Sequence, residues 1–366
     1  MLKGVVSLLK QEPIFFALLA AYAVLVAYNT GFINAALVEW KTVAIIASFI
    51  IINTGLLISG GIDFLAGRLL AKVGSIRRLY LFSVLFTMLL SMLITNDASL
   101  IVLVPLTVSM GRLSGRNLSG IVVLQAISAN VGSMLTPFGN PQNIIMFRHY
   151  SLSLYGFVYS MAPAFIISAA VLLIFTLILG RGGRRISGTS ASTYAKALLF
   201  SSLALFIIDV ACFLADLGAW VFVLLSIVSV LLMLFFRPKK LSKAFVITRV
   251  DFFLILSFVL IFLVINSAST LLPKLHPSGS IAMFFYALLS SQLISNVPAT
   301  VLLEKSSLFL PLSWGVNIGG NGTLIASLAN FIAYRQGKGL GIFRFMELSF
   351  AYMIAVAAIV ALLLYI

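Results

Sequence analysis

Polar residues able to hold an ion or a polar solute gather at four interruptions of an otherwise apolar chain. These are TNDAS at 95–99, TPFGNPQN at 136–143, SNVPAT at 295–300 and NIGGNGT at 317–323. Asparagine supplies donors and acceptors, threonine hydroxyls and free carbonyls are hard oxygen ligands, and glycine lets a backbone approach closely. Half-helices that begin after a break add positive dipole ends that attract anions. The predicted chemistry is reversible binding of a small ion or polar solute.

The candidate binding residues lie at these interruptions and in the apolar segments beside them. In the first half of the chain they are Thr95, Asn96, Asp97, Ser99, Asn130, Gly132, Thr136, Gly139, Asn140 and Asn143. In the second half they are Ser295, Asn296, Thr300, Asn317, Gly319, Asn321, Thr323 and Asn330. Any single asparagine could instead cap a half-helix, and Pro137 and Pro141 favour a role as helix terminators. We predict no metal site beyond a sodium ion at these same residues.

Asp97 is the candidate with the most specific role. A carboxylate at membrane depth costs about 2.5 to 3.5 kcal/mol even on insertion scales, so it is normally paired, protonated or functional. We favour proton or cation coupling over a buried capping carboxylate. Asp209 could be a second buried carboxylate or a helix–helix hydrogen-bond partner. Glu304 and Lys305 are predicted to pair locally or to face water.

The composition places the chain in lipid. Of its 366 residues 62% are hydrophobic and 9% are charged, whereas a soluble domain carries roughly a quarter charged residues. The net charge of +15 lies in short loops without interleaved aromatic residues, which argues against nucleic-acid binding. There is no Walker, GxSxG, CxxC or HExxH motif, so we expect neither an enzyme nor a cofactor other than Na⁺ or H⁺.

The polar interruptions divide the apolar segments into two kinds. Seven ordinary spans are predicted at about 14–34, 42–60, 155–180, 195–214, 217–236, 250–271 and 342–366. The other four segments, 79–111, 118–149, 280–311 and 313–336, each contain an interruption. Irregular backbone at membrane depth survives only when it is buried in protein or lines a wet cavity. We therefore expect the four interruptions to meet near the middle of the membrane.

The two halves of the chain are related in sequence. Adding 187 to the numbers of Asn130, Gly132, Thr136 and Asn143 leads to the identical residue types at 317, 319, 323 and 330. An offset of 200 places Thr95 and Asn96 on the SN pair at 295–296, and Asp97 on a valine. Apolar helices have no packing reason to repeat such residues. We therefore predict that the shared site lies on these repeated residues, and that Pro137, Pro141 and Gln142 belong to one half only.

The loop charges predict an inverted repeat. If 79–111 and 280–311 are hairpins that enter and leave on one side, all but four of the 24 basic residues lie inside with the N-terminus. The C-terminus is then outside, and residues 62–78 form an amphipathic helix on the inner interface. The predicted fold is an all-α polytopic membrane protein of about nine spanning helices, two of them broken, plus two opposed re-entrant hairpins. Its repeats are residues 1–185 and 186–366.

Four motifs carry a resemblance to a known family: TNDASLIVLVPL, GSMLTPFGNPQNIIMF, SNVPATVLL and VNIGGNGTLIASLANFIA. The chain resembles the ion transporter superfamily, and within it the citrate-transporter-like and arsenite-permease-like branch, relatives of divalent-anion/sodium symporters. The resemblance implies a scaffold domain, a transport domain of two hairpins and two broken helices, a homodimer and elevator-like movement. TNDAS and SNVPAT match the family's Ser/Asn/Thr tip motif only in part. The aspartate at the first tip resembles the arsenite permeases more than the divalent-anion symporters.

These observations predict a secondary active transporter of a small anion or oxyanion, citrate/dicarboxylate-like or arsenite-like, coupled to protons or sodium. We expect it in the cell membrane, in contact with lipid and with no nucleic-acid partner. One alternative is a sodium/proton antiporter, for which two interacting buried carboxylates are expected. Another is a channel or a non-transporting membrane subunit. A channel predicts a continuous polar face, whereas the polarity here is confined to four interruptions.

Overall fold

The computed structural model describes residues 12–62, 64, 68, 75–113, 117–180, 194–238, 240–271, 277–337 and 340–365. Within these ranges every regular element is helical and none is a strand. The helices are α1 Pro13–Tyr28, α2 Trp40–Ser59, α3 Ile76–Leu93, α4 Asn96–Leu113, α5 Ser119–Ser133, α6 Pro141–His149, α7 Leu154–Leu179, α8 Lys196–Leu214, α9 Ala219–Phe236, α10 Lys243–Thr248, α11 Phe252–Leu271, α12 Ser280–Ile294, α13 Asn296–Leu303, α14 Phe309–Gly319, α15 Leu328–Gln336 and α16 Ile342–Tyr365. Most of the predicted interfacial helix 62–78 lies outside the described residues.

Seven helical segments of the described chain are long and apolar enough to cross a membrane. They are Trp40–Ser59, Ile76–Leu93, Leu154–Leu179, Lys196–Leu214, Ala219–Phe236, Lys243–Ala268 and Ile342–Tyr365. A helix of 18 residues or more spans about 27 Å or more at 1.5 Å per residue, close to the thickness of the hydrocarbon layer. The predicted all-α polytopic membrane class is thus confirmed.

The first predicted span, 14–34, is longer than the helix that forms. The helix α1 ends at Tyr28 after 16 residues. The Asn29 side chain then accepts a hydrogen bond from the Gly31 amide, and the Asn34 side chain does the same for Ala36. Such local side-chain bonds offer the backbone an alternative to the helix. The two asparagines therefore end the span early.

The helices pack as two groups. The first, here called the frame group, contains α1, α2 and α8–α11. In it α2 packs against α8 and α9, and α11 packs against α1. The second, here called the tip group, contains α3–α7 and α12–α16, and its α5 and α14 each pack against several neighbours. Fewer helix pairs connect the two groups. The helix α11 packs against α13, and α2 packs against α4 and α6.

All four predicted interruptions break helices inside the tip group. The helices α3 and α4 meet at residues 94–95, and α12 and α13 meet at Ser295, whose φ of 74° is in the left-handed region. Non-helical residues 134–140 separate α5 from α6, and residues 320–327 separate α14 from α15. One boundary differs from the prediction. The predicted second hairpin ends at residue 311, whereas α13 ends at Leu303 and α14 begins at Phe309. Pro311 lies in the first turn of α14, where a missing N–H costs no helical bond.

Candidate functional site

In the first half of the chain, the tip between α3 and α4 is bonded to the break between α5 and α6. The backbone N–H of Asn96 donates to the carbonyl of Gly139 at 3.1 Å. The hydroxyl of Thr136 donates to the carbonyl of Met92 at 2.9 Å. These two bonds satisfy groups that the interrupted helices leave without a helical partner. The first tip and the first break therefore form one unit.

The second half repeats the same bonds with the two sequence offsets. The N–H of Asn296 donates to the carbonyl of Ala326 at 2.9 Å, and the hydroxyl of Thr323 donates to the carbonyl of Gln292 at 3.3 Å. The break residues are displaced by 187 and the tip residues by 200, as in the sequence comparison. The repeat is therefore present in the hydrogen bonding as well as in the sequence.

Gly132 and Gly319 allow close contact between neighbouring helices. A Cβ atom added to Gly132 would collide with the carbonyl of Met88, and one added to Gly319 would lie 2.8 Å from the carbonyl of Leu288. The two glycines belong to α5 and α14, which pack against α3 and α12. Glycine is required here because one helix backbone lies against another, rather than because a solute approaches.

Asn143 and Asn330 each bind the free carbonyl groups of the break in their own half. Their amide nitrogens lie 2.9–3.1 Å from the acceptors, which are Ser133, Met134 and Thr136 for Asn143, and Gly320 and Thr323 for Asn330. The carbonyls at the end of an interrupted helix have no helical partner. The repeated asparagines therefore hold the breaks open inside the protein.

The same asparagines also bond across the two halves. The amide of Asn130 donates to the side-chain oxygen of Asn330 at 3.1 Å, and the amide of Asn317 donates to that of Asn143 at 2.9 Å. The second bond is the first one with the roles of the halves exchanged. All four side chains are at most 3% exposed. We call these four residues the asparagine junction.

Neighbouring candidates complete the asparagine junction from both sides. The amide of Asn140 donates to the side-chain oxygen of Asn317 at 3.1 Å. Ser327 is the counterpart of Asn140 at the offset of 187, and its hydroxyl donates to the side-chain oxygen of Asn130 at 3.2 Å. Asn321 accepts from the amide of Asn130 at 3.3 Å. A buried network with satisfied donors and acceptors rigidifies its surroundings. That these residues contact a solute stays a prediction.

Ser99 and Thr300 make only bonds inside their own helices. The hydroxyl of Ser99 donates to the carbonyl of Asn96 at 2.7 Å, and that of Thr300 donates to the carbonyl of Asn296 at 2.8 Å. Both side chains are fully buried. They follow the tips on α4 and α13, and neither borders either cavity.

Two cavities lie where the tip group meets the frame group. The larger, of about 390 Å³, is bordered by Asn96, Asp97, Ser295 and Asn296 from the two tips. The smaller, of about 150 Å³, is bordered by Thr95 and again by Asp97. The frame group contributes Asp251, Leu254 and Phe258 to both cavities. None of the four residues of the asparagine junction borders either cavity.

Four helices begin at the wall of the larger cavity. The first residues of α4, α6, α13 and α15, which are Asn96, Pro141, Asn296 and Leu328, all border it. A helix N-terminus carries a partial charge of roughly +0.5, so four together favour an anion. The α13 terminus has no side-chain cap from Ser295. The arrangement can therefore attract a small anion to the tips.

Carboxylates border the same space. Asp97 lies at the first turn of α4, Asp251 immediately before α11, and Glu12 immediately before α1. The Oδ1 atom of Asp97 is buried and has no hydrogen-bond partner in the described part of the chain. Desolvation raises the pKa of Glu12, the nearby Asp251 adds to the rise, and Arg335 opposes it. Sequence reasoning missed Glu12 and Asp251, because a carboxylate just before an apolar helix is also typical of a membrane interface.

Asp209 has a structural partner instead. The hydroxyl of Ser48 lies 2.9 Å from Oδ1 and 3.1 Å from Oδ2 of Asp209. This bond joins α8 to α2 inside the frame group, and Asp209 borders neither cavity. Asp209 is also fully buried. Both readings open from the sequence therefore hold, since Asp209 is a second buried carboxylate and a helix–helix hydrogen-bond partner.

An ionic cluster joins the two groups at another place. Lys41 pairs with Asp216 at 2.7 Å within the frame group. Arg148 of α6 lies 3.8 Å from Glu39 and 3.9 Å from Asp216, and it also bonds the hydroxyl of Thr42. Lys41 and Arg148 are two of the four basic residues that the loop charges place outside, together with Lys274 and Lys305. The arginine bridges the tip group to the frame group.

Glu304 lies near this ionic cluster. The prediction that Glu304 pairs locally or faces water is wrong. Its side chain is 3% exposed, and none of the described residues bonds its Oε2 atom. Burial raises the pKa of Glu304 to about 8, and Glu39 adds to the rise, while Lys305 and Arg148 oppose it. The turn after α13 packs against the protein, and this burial could not be seen in the sequence.

The apolar helices and the breaks sealed inside protein define an integral membrane protein of the transporter class. The model of the citrate transporter family matches residues 8–305, and the chain belongs to this family. It is 33% identical over 307 residues to an uncharacterized transporter from Methanocaldococcus jannaschii, covering 83% of this chain and 82% of that protein. It is 30% identical over 318 residues to the inner membrane protein YbiR from Escherichia coli K12, covering 83% and 81%.

A shorter match is found with a silicon efflux transporter from Oryza sativa subsp. japonica. It is 33% identical over 93 residues, 25% of this chain and 19% of that protein. The family resemblance noted from the four motifs is thus confirmed.

Proposed function

We propose that this protein is a secondary active transporter of a small anion or oxyanion, citrate/dicarboxylate-like or arsenite-like, coupled to protons or sodium. The observation that carries the proposal is the larger cavity, where four helix N-termini and three carboxylates face the same space. The N-termini suit an anion. The carboxylates suit a proton or a hard cation.

The charges of the cavity explain why the two ions move together. Four N-termini of roughly +0.5 each attract an anion, while ionised Asp97, Asp251 and Glu12 repel it. A proton or Na⁺ on Asp97 removes part of this repulsion, so each ion strengthens the binding of the other. Such mutual strengthening is a coupling free energy, and it is reciprocal.

The two helix groups suggest how access alternates. The hydrogen bonds that repeat with the two offsets, together with the loop charges, support two inverted repeats with hairpins that enter from opposite sides. The larger cavity lies between the tip group and the frame group. We propose that the tip group moves against the frame group in an elevator-like step, within a homodimer of the cell membrane. The N-terminus is then cytoplasmic and the C-terminus outside.

Reconstitution into proteoliposomes tests this proposal. Uptake of citrate, succinate, arsenite, phosphate, sulfate and silicic acid is measured with pH or sodium gradients imposed, the last because one relative is a silicon efflux transporter. We expect one class of anion or oxyanion to accumulate only when a gradient is present. Uptake that ignores every gradient would contradict coupled transport and favour a channel.

A sodium/proton antiporter is a second candidate, because Asp97 and Asp251 border both cavities. The second carboxylate is thus Asp251, whereas the sequence offered only Asp209. The two functions differ in their need for an anion. Proteoliposomes loaded with a pH-sensitive dye and given a sodium gradient should show no proton movement without a transported anion, if anion transport is correct. Sodium-driven proton movement without any anion would indicate the antiporter.

A further inference from the structure

Glu39, His149 and Glu304 form a second cluster of ion-binding side chains, away from the cavities. One ligand atom from each residue lies within 4.8 Å of the others. Glu39 directly precedes α2 of the frame group, whereas His149 ends α6 and Glu304 follows α13 in the tip group. The three residues are distant in sequence and come together only through contact between the two groups.

Glu304 gives an independent indication of a bound cation. Its side chain is 3% exposed, and its Oε2 atom has no hydrogen-bond partner among the residues that the structure describes. A buried polar atom without a partner is rare and costly, and an ion that is not shown is one of its recognised explanations. Glu39 and His149 are exposed at the rim. An ion can therefore approach from water.

Three positively charged side chains of the described chain lie near the cluster. Arg148 lies 3.8 Å from Glu39 and also contacts Thr42, and Lys41 is paired with Asp216. Lys305 follows Glu304 and is exposed. These positive charges repel any cation, and a divalent ion more than a monovalent one. Only direct metal–ligand bonds of the kind that a transition metal ion forms can offset this repulsion.

We propose that Glu39, His149 and Glu304 bind a divalent transition metal ion of the Zn²⁺ type. An imidazole and two carboxylates are ligands that zinc accepts, and three protein ligands leave a further position for water. Calcium and magnesium are less suited, since they prefer oxygen ligands alone.

The bound ion would connect the frame group to the tip group. Because one ligand comes from the frame group and two come from the tip group, movement between the groups must break a metal–ligand bond. We therefore expect the ion to stop transport by holding the arrangement seen here. This inhibitory effect rests on the proposed transport function, whereas the binding itself does not.

Zinc binding to the purified full-length protein in detergent tests the site directly. Isothermal titration calorimetry should give one site per chain for the wild type. His149→Gln and Glu304→Gln should each weaken binding by at least roughly tenfold, since loss of even an outer-shell partner costs about 10- to 100-fold. Glu347→Gln is the matched control, because Glu347 is an exposed carboxylate that pairs with Arg344, and it should bind zinc as the wild type does.

A fourth variant guards against misfolding as an explanation. Lys305→Gln removes a neighbouring positive charge and should tighten zinc binding severalfold, which a misfolded site cannot do. Unchanged or weaker binding by this variant, or wild-type binding by His149→Gln, would overturn the site.

In proteoliposomes, external zinc should inhibit the wild type and the Glu347→Gln control but not His149→Gln. Inhibition of all three alike would overturn the connecting role. If no anion is transported at all, the proposed function fails, and the calorimetry still decides the metal site.

Discussion

The asparagine junction and the cavity wall differ in their symmetry. Asn130 and Asn143 recur as Asn317 and Asn330. Asn130 bonds Asn330, which is the counterpart of Asn143, and Asn317 bonds Asn143 in the same way. Asp97 has no copy, because Val297 stands in its place. Residues present in both halves can satisfy one another where the halves meet. A repeated carboxylate would instead place two like charges close together, which disfavours ionisation of both.

This difference teaches which residues to assign to structure and which to chemistry. In this protein the repeated asparagines of the junction hold the breaks. The tips border the larger cavity with the repeated pair Asn96 and Asn296 and with the unrepeated Asp97. The predictions below separate the two roles.

Asp97→Asn should have the largest effect, a complete loss of gradient-driven uptake in proteoliposomes with the melting temperature unchanged. The variant removes the charge but keeps the shape of the side chain. Asp209→Asn is the matched control, because Asp209 is a buried aspartate of the frame group that bonds Ser48, and it should retain gradient-driven uptake. Full uptake by Asp97→Asn would remove this carboxylate from the coupling mechanism.

Asn143→Ala should mainly destabilise the fold. It leaves three carbonyls without their amide donor, and each unsatisfied buried group costs about 1 to 3 kcal/mol. We expect a total of roughly 3 kcal/mol or more, measured by thermal unfolding in detergent. Asn34→Ala removes one exposed hydrogen bond and should cost about 1 kcal/mol or less. If Asn143→Ala had normal stability but no longer bound substrate, the asparagine junction would have to be part of the binding site.

Gly132→Ala should destabilise the protein by about 1 to 3 kcal/mol, the usual cost of an overpacked core. The added methyl group meets the carbonyl of Met88 and the hydroxyl of Ser91. Gly218→Ala is the control, since a Cβ there meets nothing within 4 Å. Equal melting temperatures for the two variants would show that the close contact between α3 and α5 is not needed.

Glu12→Gln should have the smallest effect and should appear only in the pH dependence. Because the pKa of Glu12 is raised on folding, the folded state holds its proton to higher pH than the unfolded state does. Stability therefore falls as the pH rises from the ordinary value of 4.5 through the raised one. Thermal unfolding between pH 4 and 8 should show a slightly smaller loss for Glu12→Gln. A larger loss of stability with rising pH in Glu12→Gln than in the wild type would contradict a raised pKa of Glu12.

Local features of the fold were predictable because they depend on neighbours in the sequence. The helices break at TNDAS and SNVPAT, where the polar residues stand. Pro141, a predicted helix terminator, instead begins α6, because a proline suits the first turn of a helix. The predicted end of the second hairpin was displaced, since Pro311 suits the start of a helix as well as the end of one. Contact between the two breaks was expected, because irregular backbone must be buried in protein. The contribution of Glu12 and Asp251 to the cavity was not predictable.

From the sequence alone came the membrane environment, the positions of the four breaks and the two offsets of the repeat. These follow from composition and spacing, which are properties of the chain itself. Only the tertiary structure decided where the polar groups point. The junction asparagines face one another, Asp97 faces a cavity with Asp251, and Asp209 bonds Ser48. The physical reason is that a buried polar group takes whichever partner the packing of distant helices brings within reach.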